Sequence, residues 1–231
     1  MSGSGAHPTH PYAPLDFSVV VFGASWARPG DSGLYAESVR LGTAIARRGY
    51  HLVNGGYSGT TEGSALGHRE AGGALREGVI VPALFPQRPA GGNEHLTVET
   101  ATPTLLSRID VMAARARHFV ILPGTLGTLT ELCAVWNMAY LEKLGRHATA
   151  RRIYAYETPW RAVVEACVAG LLIEEDVARH IVFVKDAEEA LALIVQEDRG
   201  AVAMAGGAAA TPASGGSVDD PRVARARAGT P

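Results

Sequence analysis

Short runs of β-branched and aromatic residues alternate with longer amphipathic stretches along most of this chain. The runs are FSVVVFG, YHLVNGG, EGVIVPA, HFVILPG, RRIYAYE and HIVFVKD. A strand followed by a helix that leads back to the next parallel strand is the repeating unit of an open α/β sheet. The alternation therefore predicts a doubly wound, mostly parallel sheet flanked by helices.

The predicted helices fill the intervals between these runs. They cover about 32–48, 60–71, 104–116, 128–144 and 160–171, with a last one ending near Val195, and a long loop follows EGVIVPA. With 231 residues, of which 47% are hydrophobic, the chain can bury one sizeable core. We therefore expect a single α/β domain over residues 16–197.

Both ends of the chain differ in composition from this domain. Residues 1–15 are rich in Gly, Ser, Pro and His and show no periodicity, and residues 198–231 contain few large apolar side chains. Such segments cannot offset the entropy that is lost on ordering. We expect residues 1–15 and 198–231 to be disordered.

The charge and the apolar runs exclude several classes of partner. A formal net charge of -2 gives no field that would draw the protein to a nucleic-acid polymer or an anionic membrane. The longest apolar runs, such as VVVF, are far too short to span a bilayer, and the first residues lack the pattern of a leader peptide.

Cys133 and Cys167 lie in apolar helical patterns, which indicates buried thiols in a reducing compartment. We expect a cytoplasmic protein.

Three glycine-bearing turns follow predicted strands: FGAS, NGGYSGTT and PGTLGT. In a doubly wound sheet the carboxyl ends of the strands and the N-termini of the helices face one crevice. Glycine lets a ligand come close to backbone amides, so the turns together can form a binding site for a phosphate. Each turn alone is explained equally well as a simple connection between a strand and a helix. None matches a Walker loop or a Gly-x-Gly-x-x-Gly fingerprint, and no His/Cys/Asp/Glu grouping has the spacing of metal ligands.

Two charged residues near these turns each allow two interpretations. Thr128 and Glu131 have the spacing of a capping box, in which the glutamate stabilises a helix start, but Glu131 also fits the acid group of an active site. Arg108 lies beside the apolar face of its predicted helix. It is either a solvated neighbour of that face or a guanidinium that reaches into the crevice for a phosphate or a ribose.

From Phe17 to Val195 the chain resembles the lonely-guy family, the cytokinin riboside 5'-monophosphate phosphoribohydrolases formerly labelled possible lysine decarboxylases. The segment PGTLGTLTE, residues 123–131, is similar to the family motif Pro-Gly-Gly-x-Gly-Thr-x-x-Glu, and the family arginine fifteen residues before the proline corresponds to Arg108, with the accompanying Met112. VFGAS, LGTAIARRGYHLVNGG and EGSALGHREAGG resemble the first two βα units of the family. The resemblance implies a Rossmann-like domain.

The resemblance also implies an activity: hydrolysis of the N-glycosidic bond of a nucleoside 5'-monophosphate to a free base and ribose 5-phosphate. It suggests a homodimer, and the residues themselves imply no cofactor and no metal. Glu131 would stand by the ribose, and Arg108 would close over phosphate and ribose. The implied binding residues are Gly124, Thr125, Gly127 and Thr128 at the phosphate, Gly55, Gly56, Gly59 and Thr60 on the facing wall, and Gly23, Ala24 and Ser25 near the base or ribose.

The chain departs from the family pattern at four positions. Thr125 replaces the second motif glycine and Tyr57 a third glycine of the preceding loop, while Ser107 and Ile109 replace a glutamate and a lysine beside Arg108. If position 125 needs a positive φ, a threonine there costs about 1–3 kcal/mol.

Other functions remain open at this stage. The alternative is a non-catalytic protein of the same fold that binds a nucleotide or carries the molybdenum cofactor. A pyridoxal-dependent decarboxylase would need a Schiff-base lysine, and neither Lys143 nor Lys185 lies in a glycine-rich loop.

Overall fold

Seven parallel strands and the helices between them make up the described part of the computed structural model, residues 17–30, 33–85, 91–144, 151–171 and 173–208. The strands are β1 (Ser18–Phe22), β2 (His51–Asn54), β3 (Arg76–Ile80), β4 (Val98–Ala101), β5 (His118–Ile121), β6 (Arg152–Tyr156) and β7 (Ile181–Val184). The helices are α1 (Gly33–Arg47), α2 (Thr60–Glu70), α3 (Leu105–Arg115), α4 (Leu126–Leu144), α5 (Glu157–Leu171), α6 (Glu175–Ala178) and α7 (Ala187–Ala208), with a 3₁₀ turn over Pro82–Leu84.

The strand order is β4-β3-β2-β1-β5-β6-β7, so the order reverses at β1. Strands β1 and β5 are buried along their whole length, as expected for central parallel strands covered on both faces. Strand β1 pairs in parallel with β2 and with β5, with Val21 opposite Asn54 and Phe22 opposite Ile121. The loops that follow these three strands therefore leave the sheet at the same edge.

The chain separates into two units, residues 1–195 and residues 196–231. The first contains the sheet and confirms the doubly wound α/β fold that the sequence predicts. The described part of the second is the last portion of α7, residues 196–208. Within the described ranges, no helix combines the length and the apolarity needed to cross a membrane.

The predicted elements differ from the structure in several places. The short helix α6 was not predicted, and α5 begins three residues before its predicted start. Strand β4 was expected to be part of a long loop; its four residues are mostly exposed at the edge of the sheet, so they carry no apolar run. Helix α4 begins at Leu126, two residues before the predicted start. Helix α7 continues to Ala208 instead of ending near Val195, because its last residues, GAVAMAGGA, include several alanines, which favour helix. Residues 1–15 and 209–231 lie outside the described ranges.

Two predictions about side chains are also wrong. Cys133 is exposed rather than buried, since Leu132, Val135 and Trp136 form the buried face of α4 and Cys133 lies outside that face. Arg115, beside Arg117 in the charged run RARH, is predicted from the sequence to be a surface charge. It is mostly buried instead and binds the buried carboxylate of Glu77 at 2.9 Å. This ion pair joins α3 to β3, and a hydrogen bond of 2.6 Å from the Thr100 hydroxyl to the same carboxylate adds β4.

Candidate active site

A cleft of about 280 Å³ lies at the edge of the sheet where β1, β2 and β5 end. Its walls come from the loops after β1 and β2, the 3₁₀ turn, and the first turns of α3 and α4. Eight of the thirteen residues that the sequence predicts for the site line this cleft: Gly23, Ser25, Gly55, Arg108, Thr125, Gly127, Thr128 and Glu131. The structure thus brings Arg108 and Glu131, which are far apart in sequence, to one cavity.

The other five predicted residues, Ala24, Gly56, Gly59, Thr60 and Gly124, are not among the lining residues. The Ala24 carbonyl accepts hydrogen bonds from the backbone amide of Thr60 at 2.8 Å and from its hydroxyl at 3.2 Å. Gly59 has a φ of +80°, and a Cβ there would overlap the same carbonyl. These residues join the loop after β1 to the start of α2 and so give the cleft wall its shape.

Asn54 holds the second glycine loop in place, a role that was not predicted from the sequence. Its buried side chain donates to the carbonyl of Thr61 at 2.9 Å and to the hydroxyl of Ser64 at 3.1 Å. Its amide oxygen accepts from the backbone N–H of Gly56 at 2.8 Å. A polar residue that ends an otherwise apolar strand was the available signal.

Arg108 reaches the cleft from α3 and is held there by backbone carbonyls. Its Nε donates to the carbonyl of Val79 at 2.9 Å, and its Nη2 donates to the carbonyl of Gly55 at 3.0 Å. A Cβ at position 55 would overlap Nη2, so the glycine is what allows this close approach. The guanidinium is therefore a built part of the cleft wall and not a solvated neighbour of the helix face.

Glu131 lies inside α4 and not at its cap. The helix begins at Leu126, so both Thr128 and Glu131 are helical residues, and the capping-box interpretation is wrong. The side chain is only 8% exposed. Burial raises the pKa of this carboxyl from its ordinary value of 4.5 to about 7, and the positive charge of Arg108 partly opposes that rise. No protein group within the described ranges forms a hydrogen bond or an ion pair with this carboxylate.

Thr125 does not have the positive φ that would strain a threonine at this position. Within the described residues, Phe17 is the one non-glycine residue with a positive φ. The carbonyl of Thr125 accepts the amide of Leu129 at 2.9 Å, which places Thr125 at the N-cap of α4, a position that favours threonine. The capping box of this region lies on α3 instead, between Thr104 and Ser107. It gives Ser107 a structural role.

One wall of the cleft is apolar, and Leu84 and Leu105 on it were not predicted. It is formed by Tyr57, Leu84, Phe85 and Leu105. The rings of Tyr57 and Phe85 pack edge to face with centroids 5.1 Å apart. The cleft therefore combines an apolar wall with one cation and one carboxylate. Within the described ranges, no group of three His, Cys, Asp or Glu side chains is arranged to hold a metal ion.

Replacing Glu131 by Gln should change the pH dependence of stability. A carboxyl whose pKa is about 7 in the folded protein and near 4.5 in the unfolded chain lowers the free energy of unfolding as pH rises from 4.5 to 7. We expect Glu131→Gln to be more stable than the parent protein at pH 8, with an advantage that shrinks by about 3 kcal/mol on going to pH 4.5. Urea denaturation at a series of pH values measures this.

The matched control is Glu165→Gln, which neutralises an exposed glutamate on α5. It should change the free energy of unfolding by the same small amount at pH 8 and at pH 4.5. Lower stability of Glu131→Gln than of the parent protein at pH 8 would show instead that the ionised carboxylate stabilises the start of α4.

Comparisons with known proteins agree with the fold and show the family. The model of the SLOG cluster4 family matches residues 16–144. A cytokinin riboside 5'-monophosphate phosphoribohydrolase of Mycobacterium marinum is 36% identical over 128 residues, which are 55% of this chain and 66% of that protein, just under two thirds of its length. A protein of the same name from Rhodococcoides fascians is 33% identical over 187 residues, covering 78% of this chain and 90% of that protein.

Solved structures show the same fold. The structural-genomics protein TM1055 superposes with a TM-score of 0.61 at 24% identity, covering 78% of this chain and 98% of that one. The molybdenum cofactor carrier protein of Chlamydomonas reinhardtii gives 0.55 at 19% identity, with coverage of 80% and 97%. The matched model and the sequence relatives together establish that this chain belongs to the SLOG cluster4 family of lonely-guy-type proteins.

Proposed function

We propose that this protein hydrolyses the N-glycosidic bond of a nucleoside 5'-monophosphate, releasing the free base and ribose 5-phosphate. The observation that carries the proposal is the placement of Arg108 and the buried Glu131 on one cleft beside the start of α4. The sequence relatives are named as phosphoribohydrolases, which supports this class of reaction at the level of the family.

The phosphate would bind at the N-terminus of α4. The first amides of a helix have no partner within the helix and carry partial positive charge, so they favour an anion. Gly127 and Thr128 contribute such amides, and the exposed Thr125 adds a hydroxyl at the N-cap. Arg108 supplies the one full positive charge among the residues that line the cleft.

Glu131 would act at the ribose. Cleavage of the glycosidic bond passes through a sugar with positive charge near C1', which a nearby carboxylate stabilises. The ionised form can also accept a proton from the attacking water. Because its pKa is about 7, much of the group is ionised at neutral pH while it remains basic enough to accept that proton. It would not touch the phosphate, since like charges repel.

The apolar wall would receive the base. Tyr57 and Phe85 offer aromatic surface, and Leu84 and Leu105 extend it to the rim. We include in the proposal a homodimer without cofactor or metal, located in the cytoplasm. The exposed side chains of Leu84, Leu105 and Leu126 near the rim are compatible with a second subunit there.

The second candidate is a non-catalytic protein that binds a nucleotide or the molybdenum cofactor. The carrier protein of Chlamydomonas has the same fold, and an arginine beside a helix N-terminus can hold the phosphate of either ligand. A buried carboxylate with no protein partner is a disadvantage for simple binding of an anion, because it adds repulsion. Glu131 therefore favours the enzyme.

A panel of nucleoside 5'-monophosphates, with the matching nucleosides, tests the two candidates through the release of free base. We expect release from at least one monophosphate and from no nucleoside. Glu131→Gln should lower kcat about a hundredfold to a thousandfold with the fold retained, and Arg108→Ala should raise KM at least about tenfold.

The control for these variants is Arg47→Ala, which removes an exposed arginine at the end of α1 and should leave both constants unchanged. Tight binding of a nucleotide without release of base from any member of the panel would refute the enzyme and support the binding protein.

The pH dependence of kcat/KM should follow the ionisation of Glu131. If the carboxylate is the active form, kcat/KM falls about tenfold per pH unit below pH 7. Ionisation of the substrate phosphate occurs nearer pH 6, so the two limbs can be separated by measuring between pH 5 and 9. A profile that falls above pH 7 instead would assign the protonated form of Glu131 to catalysis.

Replacing Gly127 by Ala should separate function from stability. Apart from the chain neighbours and the nearby backbone of α4 itself, no atom of the described residues lies within 4 Å of a Cβ at this position, and its φ is not positive, so the fold does not need a glycine here. Alanine favours helix by up to about 1 kcal/mol, so the melting temperature should hold or rise. The added methyl group occupies the cleft beside the phosphate amides, so kcat/KM should fall at least about tenfold.

Gly170→Ala is the matched control, because this glycine of α5 also has open space around a Cβ and does not line the cleft. It should leave kcat/KM unchanged. Full activity of Gly127→Ala would show that the start of α4 is not part of the phosphate site.

A further inference from the structure

Arg108 is held by neutral groups. Its two hydrogen bonds go to backbone carbonyls, and the ring of Tyr57 lies with its centroid 5.8 Å from the guanidinium carbon. Within the described ranges, no carboxylate lies within ion-pair distance of Arg108, and its Nη1 has no hydrogen-bond acceptor. Carbonyl dipoles and a ring quadrupole attract a cation without cancelling its charge. The charge of Arg108 therefore remains available to an anion.

Tyr57 is itself fixed at several points. Its phenol oxygen accepts a hydrogen bond from the backbone amide of Val81 at 2.8 Å, and its backbone carbonyl accepts one from the side chain of Asn93 at 2.9 Å. Its ring also packs against Phe85. A side chain that lines a cleft and is fixed in this way presents a rigid surface to its neighbours.

The contacts of Tyr57 join the two segments that hold Arg108. Gly55 and Tyr57 belong to the loop after β2, whereas Val79 belongs to β3 and Val81 follows it directly. The bond from Val81 to the phenol oxygen is one of three contacts that hold the Tyr57 ring in place, together with those to Asn93 and Phe85. Loss of the ring would remove one contact of the guanidinium, whereas loss of the phenol oxygen alone would leave the ring and two of its contacts.

We propose that Tyr57 is a positioning residue, which fixes Arg108 in the cleft for an anionic ligand without neutralising its charge. The proposal rests on the proposed function only for the identity of that anion, the phosphate of a nucleotide. The family pattern has a glycine at this position, so the positioning device belongs to this chain's own sequence.

The physical benefit is preorganisation. An arginine side chain loses considerable rotamer entropy when it is ordered by a ligand, and that loss weakens binding. A carboxylate partner would order the side chain but would also compete with the ligand for the guanidinium. A neutral ring and two carbonyls order it in advance and leave its charge free. The expected result is tighter binding of an anion and a better-placed cation.

A double-mutant cycle on the affinity for inorganic phosphate, measured by calorimetry at pH 8, tests this. We expect Tyr57→Leu to bind phosphate roughly threefold to tenfold more weakly, and Arg108→Ala to bind it more weakly still. In the Arg108→Ala background, Tyr57→Leu should have no further effect, because Tyr57 acts through Arg108. An equal loss in both backgrounds would overturn the proposal.

Tyr57→Phe is the conservative variant. It keeps the ring over Arg108 and loses the phenol oxygen, so it should restore most of the affinity that Tyr57→Leu loses. If Tyr57→Phe binds phosphate as weakly as Tyr57→Leu, the ring is not the positioning element and the proposal is wrong.

A second measurement separates this proposal from the proposed function. The Nε–H signal of Arg108 in a nitrogen-15 NMR spectrum, assigned by its absence in Arg108→Lys, reports the order of the guanidinium without any ligand. We expect its order parameter to fall in Tyr57→Leu and to hold in Tyr57→Phe. Such a result supports positioning even if no nucleotide is cleaved. An unchanged order parameter in Tyr57→Leu overturns it even if the enzyme is active.

Discussion

The parallel pairing of β1 with both β2 and β5 is the constraint on which the rest of the site depends. Because the order of the strands reverses at β1, the helices that follow β1 and β5 cover opposite faces of the sheet, and a crevice opens between the loops. The register brings the ends of the three strands level. Residues that are more than a hundred positions apart, such as Gly23 and Glu131, thereby line one cleft.

The backbone of the loops then determines the position of the functional side chains in the cleft. Gly55 has no side chain, which lets the guanidinium of Arg108 reach the carbonyl of the same residue. Asn54 and the pair of Ala24 and Thr60 hold the loop that carries Gly55. The position of Arg108 is thus determined by hydrogen bonds of the loops and by its ring contact with Tyr57, and not by an ion pair.

Sequence patterns predicted the features of this protein that repeat or that match a motif. Six strands and the doubly wound order follow from apolar runs, and the placement of Arg108 and Glu131 on one cleft follows from the resemblance to the family motif. Strand β4 was missed because its residues are exposed and apolar periodicity is the signal for a strand. Asn54 and Tyr57 were missed in their roles because each acts through contacts with residues whose proximity depends on the folded sheet.

The start of α4 shows how a two-residue difference changes a functional interpretation. If the helix began after Thr128, Glu131 would be a capping residue with an ordinary stabilising role. It begins at Leu126, so Thr125 becomes the cap, Gly127 and Thr128 present amides to the cleft, and Glu131 moves into the buried part of the helix. There the carboxyl is costly to ionise and has no protein partner within the described ranges.

Arg108 resembles Glu131 in this respect, because it is a cation without a carboxylate in ion-pair distance. Within the described ranges, neither side chain forms an ion pair that would stabilise the protein in the absence of a ligand. Proteins usually bury a charge only when it is paired, since an unpaired one lowers stability. Two opposite charges on one cleft, without an ion pair between them, fit the ligand of the proposed function, which has an anionic group for Arg108 and a carbon that becomes positively charged for Glu131.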